Sequence, residues 1–176
     1  IAKNPSKFTY HGTGTYIVGD GDVAVIDPGP MVDSHRDALV AALEGQRVSA
    51  ILVTHCHSDH SPLAAWLRER SGAPTIAFGP HAVGTDWVED DTPDEPDDER
   101  RAAAEAAEAA GEAKVEESLD LAFDPDVRVA DGEVAAFGDG WTLRAIHTPG
   151  HTSNHLCFWL DEQRALFTGD HIMGWS

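Results

Sequence analysis

The segment "THCHSDH" contains three histidines and an aspartate within six positions. Because side chains alternate between the two sides of an extended chain, His55 and His57 should point the same way. Cys56 should then point into the fold, where we expect a packing residue rather than a ligand. The chain must turn after these residues, and this turn is predicted to return Asp59 and His60 to the same pocket.

Two later segments carry side chains of the same kinds. "HTPGHTSNH" contains His147, His151 and His155, and "FTGDH" contains Asp170 and His171. Imidazole and carboxylate ligands together suit Zn²⁺, iron or Mn²⁺, whereas Ca²⁺ prefers oxygen ligands alone. A catalytic zinc commonly takes three protein ligands. The number of ligands therefore predicts a site for two metal ions.

Other polar residues near these segments have weaker indications. His155 begins a predicted strand, where it could reach the mouth of the pocket and donate to a substrate. His147 either supports a ligand or is structural, and His171 should face away from the adjacent Asp170. Asp27, in "VIDPG", is predicted to orient a ligating histidine through the second ring nitrogen of that histidine.

The surrounding sequence predicts the elements that position these residues. "TYIVG" and "VAVIDPG" are typical of two strands joined by a turn, "SAILVT" of a buried strand, and "PTIAFG" of a further strand. "DSHRDALVAALEG" and "PLAAWLRERSG" are typical of helices. This alternating order predicts an α/β layered fold. Turn-rich strands should form a second sheet of hairpins, namely "VRVA", "GEVAAFG", "WTLRAIHTPG", "HLCFWLDEQ" and "RALFTGD".

The length of 176 residues predicts a single domain over residues 1–176. Between about residues 86 and 120 the composition changes to an acidic, proline-containing loop followed by an alanine-rich helix. We interpret this segment as a helical insertion at the surface of the domain. The alternative is a lid or a substrate-selecting element over a nearby site.

The composition restricts the partners and the compartment. The 31 acidic residues outnumber the 12 Lys and Arg, for a net charge of −19, which disfavours nucleic acid as a partner. No apolar run is long enough to span a bilayer. The two cysteines are far apart and do not indicate a disulfide framework. We therefore expect a cytoplasmic protein that acts on a small-molecule substrate and has no membrane partner.

"THCHSDH", "HTPGH" and "FTGD", preceded by "VIDPG", resemble the motifs of the metallo-β-lactamase superfamily. "NPSKFTYHGTGTYIVG", "GHTSNHLCF" and "GDHIMGWS" are most similar to the β-lactamase-like protein 2 group, whose studied members include a ribonuclease acting on single-stranded RNA. The resemblance implies an α/β fold, a four-layer αβ/βα sandwich. Because the chain ends at Ser176, we expect it to lack the C-terminal part of that fold and the metal-binding histidine found there.

The resemblance also implies the ligands of a binuclear zinc centre. One metal ion would be held by three histidines, His55, His57 and His151. Asp59 and His60 would hold the second ion, and Asp170 would bridge both. Two Zn²⁺ per chain are expected if the C-terminal histidine is present, with iron and manganese as alternatives. The true zinc β-lactamases of the best-known subclass have a cysteine in place of Asp170, so antibiotic hydrolysis is not the expected main activity.

These ligands predict a metal-dependent hydrolase. Metal coordination lowers the pKa of bound water to about 7, and two ions can share a hydroxide. This bridging hydroxide is expected to attack an ester, thioester, lactam or phosphodiester, with Asp59 as the catalytic residue that orients it and accepts its proton. Three alternatives stay open: a mononuclear iron enzyme of the persulfide dioxygenase type, a single-stranded RNA endonuclease, and a non-catalytic binding module. The substrate, the metal and the oligomeric state are also open.

Overall fold

The computed structural model describes residues 1–4, 9, 11–82 and 118–173. Most of the acidic helical insertion predicted at about 86–120 lies outside the described residues, which include only its last three, 118–120. The assignment of residues 1–176 to a single domain stays a prediction.

Five strands form the first sheet, in the order β1-β2-β3-β4-β5. They are β1 (Tyr16–Asp20), β2 (Asp22–Ile26), β3 (Arg47–Leu52), β4 (Thr75–Ala77) and β5 (Val127–Arg128). Strand β1 is antiparallel to β2, and the other neighbours are parallel. Parallel strands need long crossovers, which here contain helix α1 (Asp33–Ala42) between β2 and β3 and helix α2 (Leu63–Ser71) between β3 and β4.

The two helices cover one face of the first sheet. Leu39 of α1 and Leu67 of α2 pack against Val23 of β2 and Ile51 of β3. Strands that are buried on both faces are nearly continuous in apolar residues, which explains the run "AILV" around β3. Gly72 caps the C-terminal end of helix α2, and its φ of 75° is a left-handed value that glycine adopts without steric cost.

Four antiparallel strands form the second sheet, in the order β6-β7-β8-β9. They are β6 (Val134–Gly138), β7 (Trp141–His147), β8 (Leu156–Leu160) and β9 (Ala165–Phe167). Leu143 and Phe158 on its inner face and Leu52 of the first sheet are completely buried in the core between the sheets. The described residues thus form helix, sheet and sheet layers, as the predicted α/β sandwich requires.

The segment "VRVA" is predicted to join the second sheet, and this prediction is wrong. Val127–Arg128 form β5, which pairs in parallel with β4 in the first sheet. The N–H of Val129 extends this pairing by donating to the carbonyl oxygen of Ala77 at 3.0 Å. A strand of two residues has no hydrophobic alternation from which its partner could be predicted.

One edge of the sandwich collects the chain segments that carry the predicted ligands. Asp27 and Thr54 follow β2 and β3, residues 148–155 connect β7 to β8, and a 3₁₀ turn (Gly169–His171) follows β9. Leu156 donates its N–H to the carbonyl oxygen of Thr54 at 2.8 Å and so joins the two sheets at this edge. Open α/β sheets bind ligands at the carboxyl ends of their strands.

Candidate metal centre

The loop after β3 reverses direction at His57. The N–H groups of His60 and Ser61 both donate to the carbonyl oxygen of His57, at 3.0 and 3.1 Å. This turn brings the side chains of Asp59 and His60 back toward His55 and His57. All four side chains belong to residues that are buried in the protein.

Four side chains form what we call the three-histidine site: His55, His57, His151 and Asp170. His57 Nδ1 lies 3.0 Å from His55 Nε2 and 2.9 Å from His151 Nε2. Asp170 Oδ2 lies 4.0 Å from His55 Nε2 and 3.6 Å from His151 Nε2. One ligand atom from each residue lies within 4.8 Å of all the others. The loop after β3, the β7–β8 connection and the turn after β9 all contribute to this group.

Thr54 and Asp27 determine which nitrogen of His55 faces the site. Thr54 Oγ1 donates to Asp27 Oδ2 at 2.8 Å and lies 3.0 Å from His55 Nδ1. Because the hydroxyl hydrogen is used by the carboxylate, the hydroxyl oxygen accepts from the Nδ1–H of His55. His55 Nε2 then directs its lone pair into the site. Burial and the charges of the neighbouring histidines keep the pKa of His55 well below its usual value.

A second group, which we call the acidic site, consists of Asp59, His60 and Asp170. His60 Nε2 lies 3.4 Å from Asp59 Oδ2 and 3.3 Å from Asp170 Oδ1. The other ring nitrogen of His60, Nδ1, lies 2.9 Å from Asp27 Oδ2. Asp170 directs one oxygen to each site, so it lies between them.

The charges of the acidic site favour a cation. Burial lowers the pKa of His60, but the negative charges of Asp170, Asp59 and Asp27 outweigh burial and raise this pKa well above its usual value. Burial raises the pKa of Asp59, but His60 and the hydroxyl of Thr13 hold it well below its ordinary range. Asp59 is therefore ionised at neutral pH, as a metal ligand must be.

The side chains of both sites suit divalent metal ions. In the three-histidine site, three ring nitrogens and one carboxylate oxygen converge, and a cation would attract all four of these ligand atoms. In the acidic site, Asp59 Oδ1 is buried and has no hydrogen-bond partner among the described residues. A buried carboxylate oxygen without a partner is costly, and a metal ion would satisfy it. Imidazole and carboxylate are ligands of zinc, iron and manganese.

The residues with weaker predictions occupy different places. His155 is completely buried, so it does not lie at the pocket mouth, the position that the sequence had left open for it. Its ring lies 5.0 Å from that of His55, and its Nδ1 lies 2.8 Å from Thr148 Oγ1. His147 stacks on Phe78 with ring centroids 3.9 Å apart. Neither His147 nor His155 belongs to the group of converging ligand atoms found among the described residues.

Asp27 supports both sites from a strained backbone. Its φ of 49° lies in the left-handed region that non-glycine residues seldom adopt. This conformation directs Oδ1 to the N–H of Thr54 at 2.7 Å and Oδ2 to Thr54 Oγ1 and His60. Strain of this kind costs of order 1–3 kcal/mol and persists where the surroundings enforce it.

Sequence reasoning missed the residues that hold the ligands in place. Thr13 donates to Asp59 Oδ2 at 2.5 Å across 46 positions of sequence, and no spacing pattern indicates such a contact. Thr54 directly precedes His55, and a hydroxyl beside a predicted ligand is the one signal that could have identified it. Cys56 is buried, as predicted for a packing residue.

The last residues of the predicted insertion pair with the loop that carries the ligands. Ser58 donates its N–H to the carbonyl oxygen of Ser118 at 2.8 Å, and Asp120 donates its N–H to that of Cys56 at 2.6 Å. Asp120 also accepts a hydrogen bond of 2.8 Å from Ser61 Oγ. This pairing, which includes a β-bridge between His57 and Leu119, holds the ligand-bearing loop against residues 118–120.

Residues 10–174 match the sequence model of the metallo-β-lactamase superfamily. The chain belongs to the metallo-β-lactamase superfamily. This finding confirms the superfamily predicted from "THCHSDH", "HTPGH" and "FTGD". The narrower likeness to the β-lactamase-like protein 2 group stays a prediction.

Relatives of similar sequence are longer proteins. The chain is 30% identical to the lactamase-like protein ptaB of Pestalotiopsis fici, with 99% of this chain and 44% of that protein covered. It is 31% identical to the atrochrysone carboxyl ACP thioesterase dmxR1 of a Cryptosporiopsis species, with 99% of this chain and 42% of that protein covered. The chain thus spans less than half the length of these two curated relatives.

A solved structure confirms the fold. The protein resembles the crystal structure of ETHE1 from Myxococcus xanthus with a TM-score of 0.54 and 20% sequence identity, over 90% of this chain and 52% of that one. A likeness at this identity concerns the fold alone, and it agrees with the predicted α/β sandwich. Among the residues that the structure describes, no helix has the length and apolar character needed to cross a membrane.

Proposed function

We propose that the protein is a metal-dependent hydrolase that cleaves a thioester in a small-molecule or carrier-bound substrate. The observation that carries this proposal is the convergence of one ligand atom from each of four residues within 4.8 Å at one edge of the sandwich. Zinc is the proposed metal, with iron and manganese as alternatives for the same donor set.

The proposed ligands divide between the two sites described above. His55, His57, His151 and Asp170 would hold one ion, and Asp59, His60 and Asp170 would hold the other. Bound divalent metals in such sites lower the pKa of water and polarise a carbonyl group. Asp27 orients His60, and Thr54 keeps the Nε2 lone pair of His55 directed into the site. These contacts prepare the ligands in advance, as a catalytic centre requires.

The sequence predicts that Asp59 accepts a proton from the attacking water, and the proposal assigns it a different main role. Its pKa lies below the ordinary range, which suits a ligand better than a base, because an efficient general base has a pKa near the working pH. We therefore propose that Asp59 acts mainly by holding a metal ion and by orienting the attacking water through its carboxylate.

The preference for a thioester has two supports. Several relatives at 30% to 31% identity are named atrochrysone carboxyl ACP thioesterases, so a thioester is a reasonable substrate class for this chain. A thiol has a pKa of about 8.5, so its thiolate can leave without a proton donor. The net charge of −19 disfavours a polyanionic substrate such as RNA.

The experiment compares three probes on one preparation. The protein is stripped of metal with a chelator, reloaded with Zn²⁺, and assayed with an acyl-pantetheine thioester, the corresponding oxygen ester and bis-nitrophenyl phosphate. We expect thioester cleavage to exceed cleavage of the other two, to disappear on stripping and to return on reloading. His151→Ala should abolish it, whereas His147→Ala, at the end of β7 just before the loop that carries His151, should retain it.

The metal content identifies the alternative reaction class. A zinc-loaded protein that leaves the thioester intact would overturn the substrate proposal. One iron per chain, with oxygen consumption in the presence of a persulfide, would replace the hydrolase by the dioxygenase alternative.

A further inference from the structure

The N-terminal segment reaches the acidic site through Thr13. Thr13 Oγ1 donates to Asp59 Oδ2 at 2.5 Å. The Thr13 hydroxyl accepts from Asn4 and therefore directs its own hydrogen at Asp59. Both residues are buried, with exposed fractions of 6% for Thr13 and 5% for Asp59.

Asn4 fixes Thr13 at two points. Asn4 Nδ2 donates to Thr13 Oγ1 at 3.0 Å, and Asn4 Oδ1 accepts the N–H of Thr13 at 2.9 Å. The first bond occupies a lone pair of the hydroxyl and leaves its hydrogen for Asp59. Asn4 is itself 2% exposed, and buried hydrogen bonds of this kind are costly to leave unmade.

The backbone around Asn4 and Thr13 is closely fitted. Ala2 donates its N–H to the carbonyl oxygen of Thr13 at 2.8 Å, and Thr9 Oγ1 donates to the carbonyl oxygen of Asn4 at 2.6 Å. Gly12 has a φ of 114°, and a Cβ at that position would lie 1.9 Å from the carbonyl oxygen of Ala2. Only glycine permits this approach, so Gly12 allows Ala2 to lie close enough to pair with Thr13.

The two oxygens of Asp59 have different environments. Oδ2 accepts from Thr13, whereas Oδ1 is buried without a hydrogen-bond partner among the described residues. With Oδ2 held, the carboxylate cannot rotate about its Cβ–Cγ bond without losing the hydrogen bond from Thr13. The hydrogen bond from Thr13 therefore also fixes the direction in which Asp59 Oδ1 points.

We propose that Asn4 and Thr13 form an N-terminal clamp that orients Asp59 and thereby controls binding of the metal ion in the acidic site. This inference rests on the proposed metal-dependent function. Asn4 lies before residues 10–174, the stretch that matches the superfamily. The clamp is a pair of positioning residues, because neither side chain belongs to the proposed ligand set.

The test measures the two metal affinities separately. The full chain is stripped of metal and titrated with Co²⁺ in competition with a chromophoric chelator, and the visible absorption of Co²⁺ reports the coordination of each ion. The variants are Thr13→Val, which keeps the shape but loses the hydroxyl, Thr13→Ser, which keeps the hydroxyl, and Asn4→Ala. Thr75→Val is the matched control, because Thr75 Oγ1 donates to Asp126 Oδ2 at 3.0 Å outside both metal sites.

We expect the unmodified chain to bind one Co²⁺ in the three-histidine site and a second Co²⁺ in the acidic site through Asp59, His60 and Asp170. The second ion should bind more weakly than the first, because the C-terminal histidine that the family resemblance implies would be one of its ligands. Thr13→Val should lower the affinity for the second ion by about 10–100-fold, the usual effect of losing a residue that supports a ligand. The affinity for the first ion should stay nearly unchanged. Thr13→Ser should restore the second ion. Asn4→Ala should weaken it less than Thr13→Val, since the hydroxyl remains but is no longer oriented. Thr75→Val should keep both affinities.

Two results would overturn the clamp: equal second-ion affinity in Thr13→Val, Asn4→Ala and the unmodified chain, or an unmodified chain that binds fewer than two ions. If Thr13→Val does not fold, the affinities of Asn4→Ala decide the question. The clamp and the hydrolase proposal can fail independently. If the affinity for the second ion depends on Thr13 but the protein cleaves no thioester, the clamp is supported and the hydrolase proposal is overturned.

Discussion

The three-histidine site and the acidic site lie side by side, but their ligands are held in different ways. His57 and His151 meet directly through ring nitrogens 2.9 Å apart, and these ligands come from loops of both sheets. In the acidic site, Asp59 depends on Thr13, and His60 depends on Asp27. The first site thus relies on the meeting of the loops and on one buried hydrogen-bond chain, from Asp27 through Thr54 to His55. In the second site, Asp59 and His60 are each held by a buried hydrogen bond with a residue elsewhere in the chain.

This difference has an energetic consequence. A histidine ligand is neutral, so three of them can be buried together at moderate cost, whereas buried carboxylates are costly unless they are hydrogen-bonded or bound to a cation. The acidic site therefore needs its supporting residues more than the three-histidine site does. Substitutions that affect one site, the other or both can test this contrast.

The largest effect should follow removal of a ligand from the three-histidine site. His151→Ala should weaken the first metal ion by more than about 100-fold, beyond the 10–100-fold typical of supporting residues. Metal titration of the stripped protein measures this loss. His147→Ala is the control, at the end of β7 beside the same loop, since its Nε2 lies 3.1 Å from the carbonyl oxygen of Ser153 and outside the site. Equal losses in both variants would mean that the loop, and not the ligand, is responsible.

Asp27→Asn should affect both sites. Asparagine tolerates the φ of 49° better than most residues. Its amide NH₂ would, however, replace Oδ2, the carboxylate oxygen that faces Thr54 Oγ1 and His60 Nδ1. Both Thr54 and His60 would lose their acceptor, so each metal affinity should fall by about 10–100-fold. The same competition titration gives both constants. A loss confined to one ion would contradict the shared role of Asp27.

Thr54→Val should weaken mainly the first ion. It removes the hydroxyl that links Asp27 to His55 Nδ1, so His55 could adopt the wrong tautomer. We expect a loss of about 10-fold, at the lower end for supporting residues, with recovery in Thr54→Ser. If the serine variant binds the first ion as weakly as valine does, the hydroxyl is not what orients His55.

The smallest effect should follow Ser61→Ala. Its hydroxyl donates to Asp120 Oδ2 at 2.8 Å and lies 3.4 Å from the backbone carbonyl oxygen of His57, but it does not contact a proposed ligand atom. Loss of one such hydrogen bond should lower the free energy of unfolding by about 1 kcal/mol, which chemical denaturation measures. Both metal affinities should stay at the level of the unmodified chain. A large loss of metal binding would instead show that the pairing of the loop with residues 118–120 shapes the sites.

The ligand set could be predicted because residue type and strand position both indicated it. His55 and His57 alternate in extended chain after a buried strand, and Asp170 follows another strand at the same edge. The structure brings these three residues together, although their role as ligands stays a proposal. The turn at His57 was also predictable, since the chain must reverse before α2.

The supporting residues could not be predicted from their types. Thr13 and Asn4 are ordinary polar residues, and their partners are determined by how the N-terminal segment packs on the finished sandwich. The buried position of His155 was missed for a related reason. A Cβ on Gly169 would lie 2.8 Å from His155 Nε2, so His155 fits beneath a backbone turn that only the three-dimensional structure reveals.

The bond between Leu156 and Thr54 joins the two sheets at the edge where ligands from both sheets also meet. Any ion bound there would act as a cross-link between the halves of the sandwich, in addition to its chemical role. Thermal resistance should then depend on the concentration of free metal, with a gain of about 2.7 kcal/mol at one hundred times the dissociation constant. A chelator should accordingly lower the thermal stability of the sandwich.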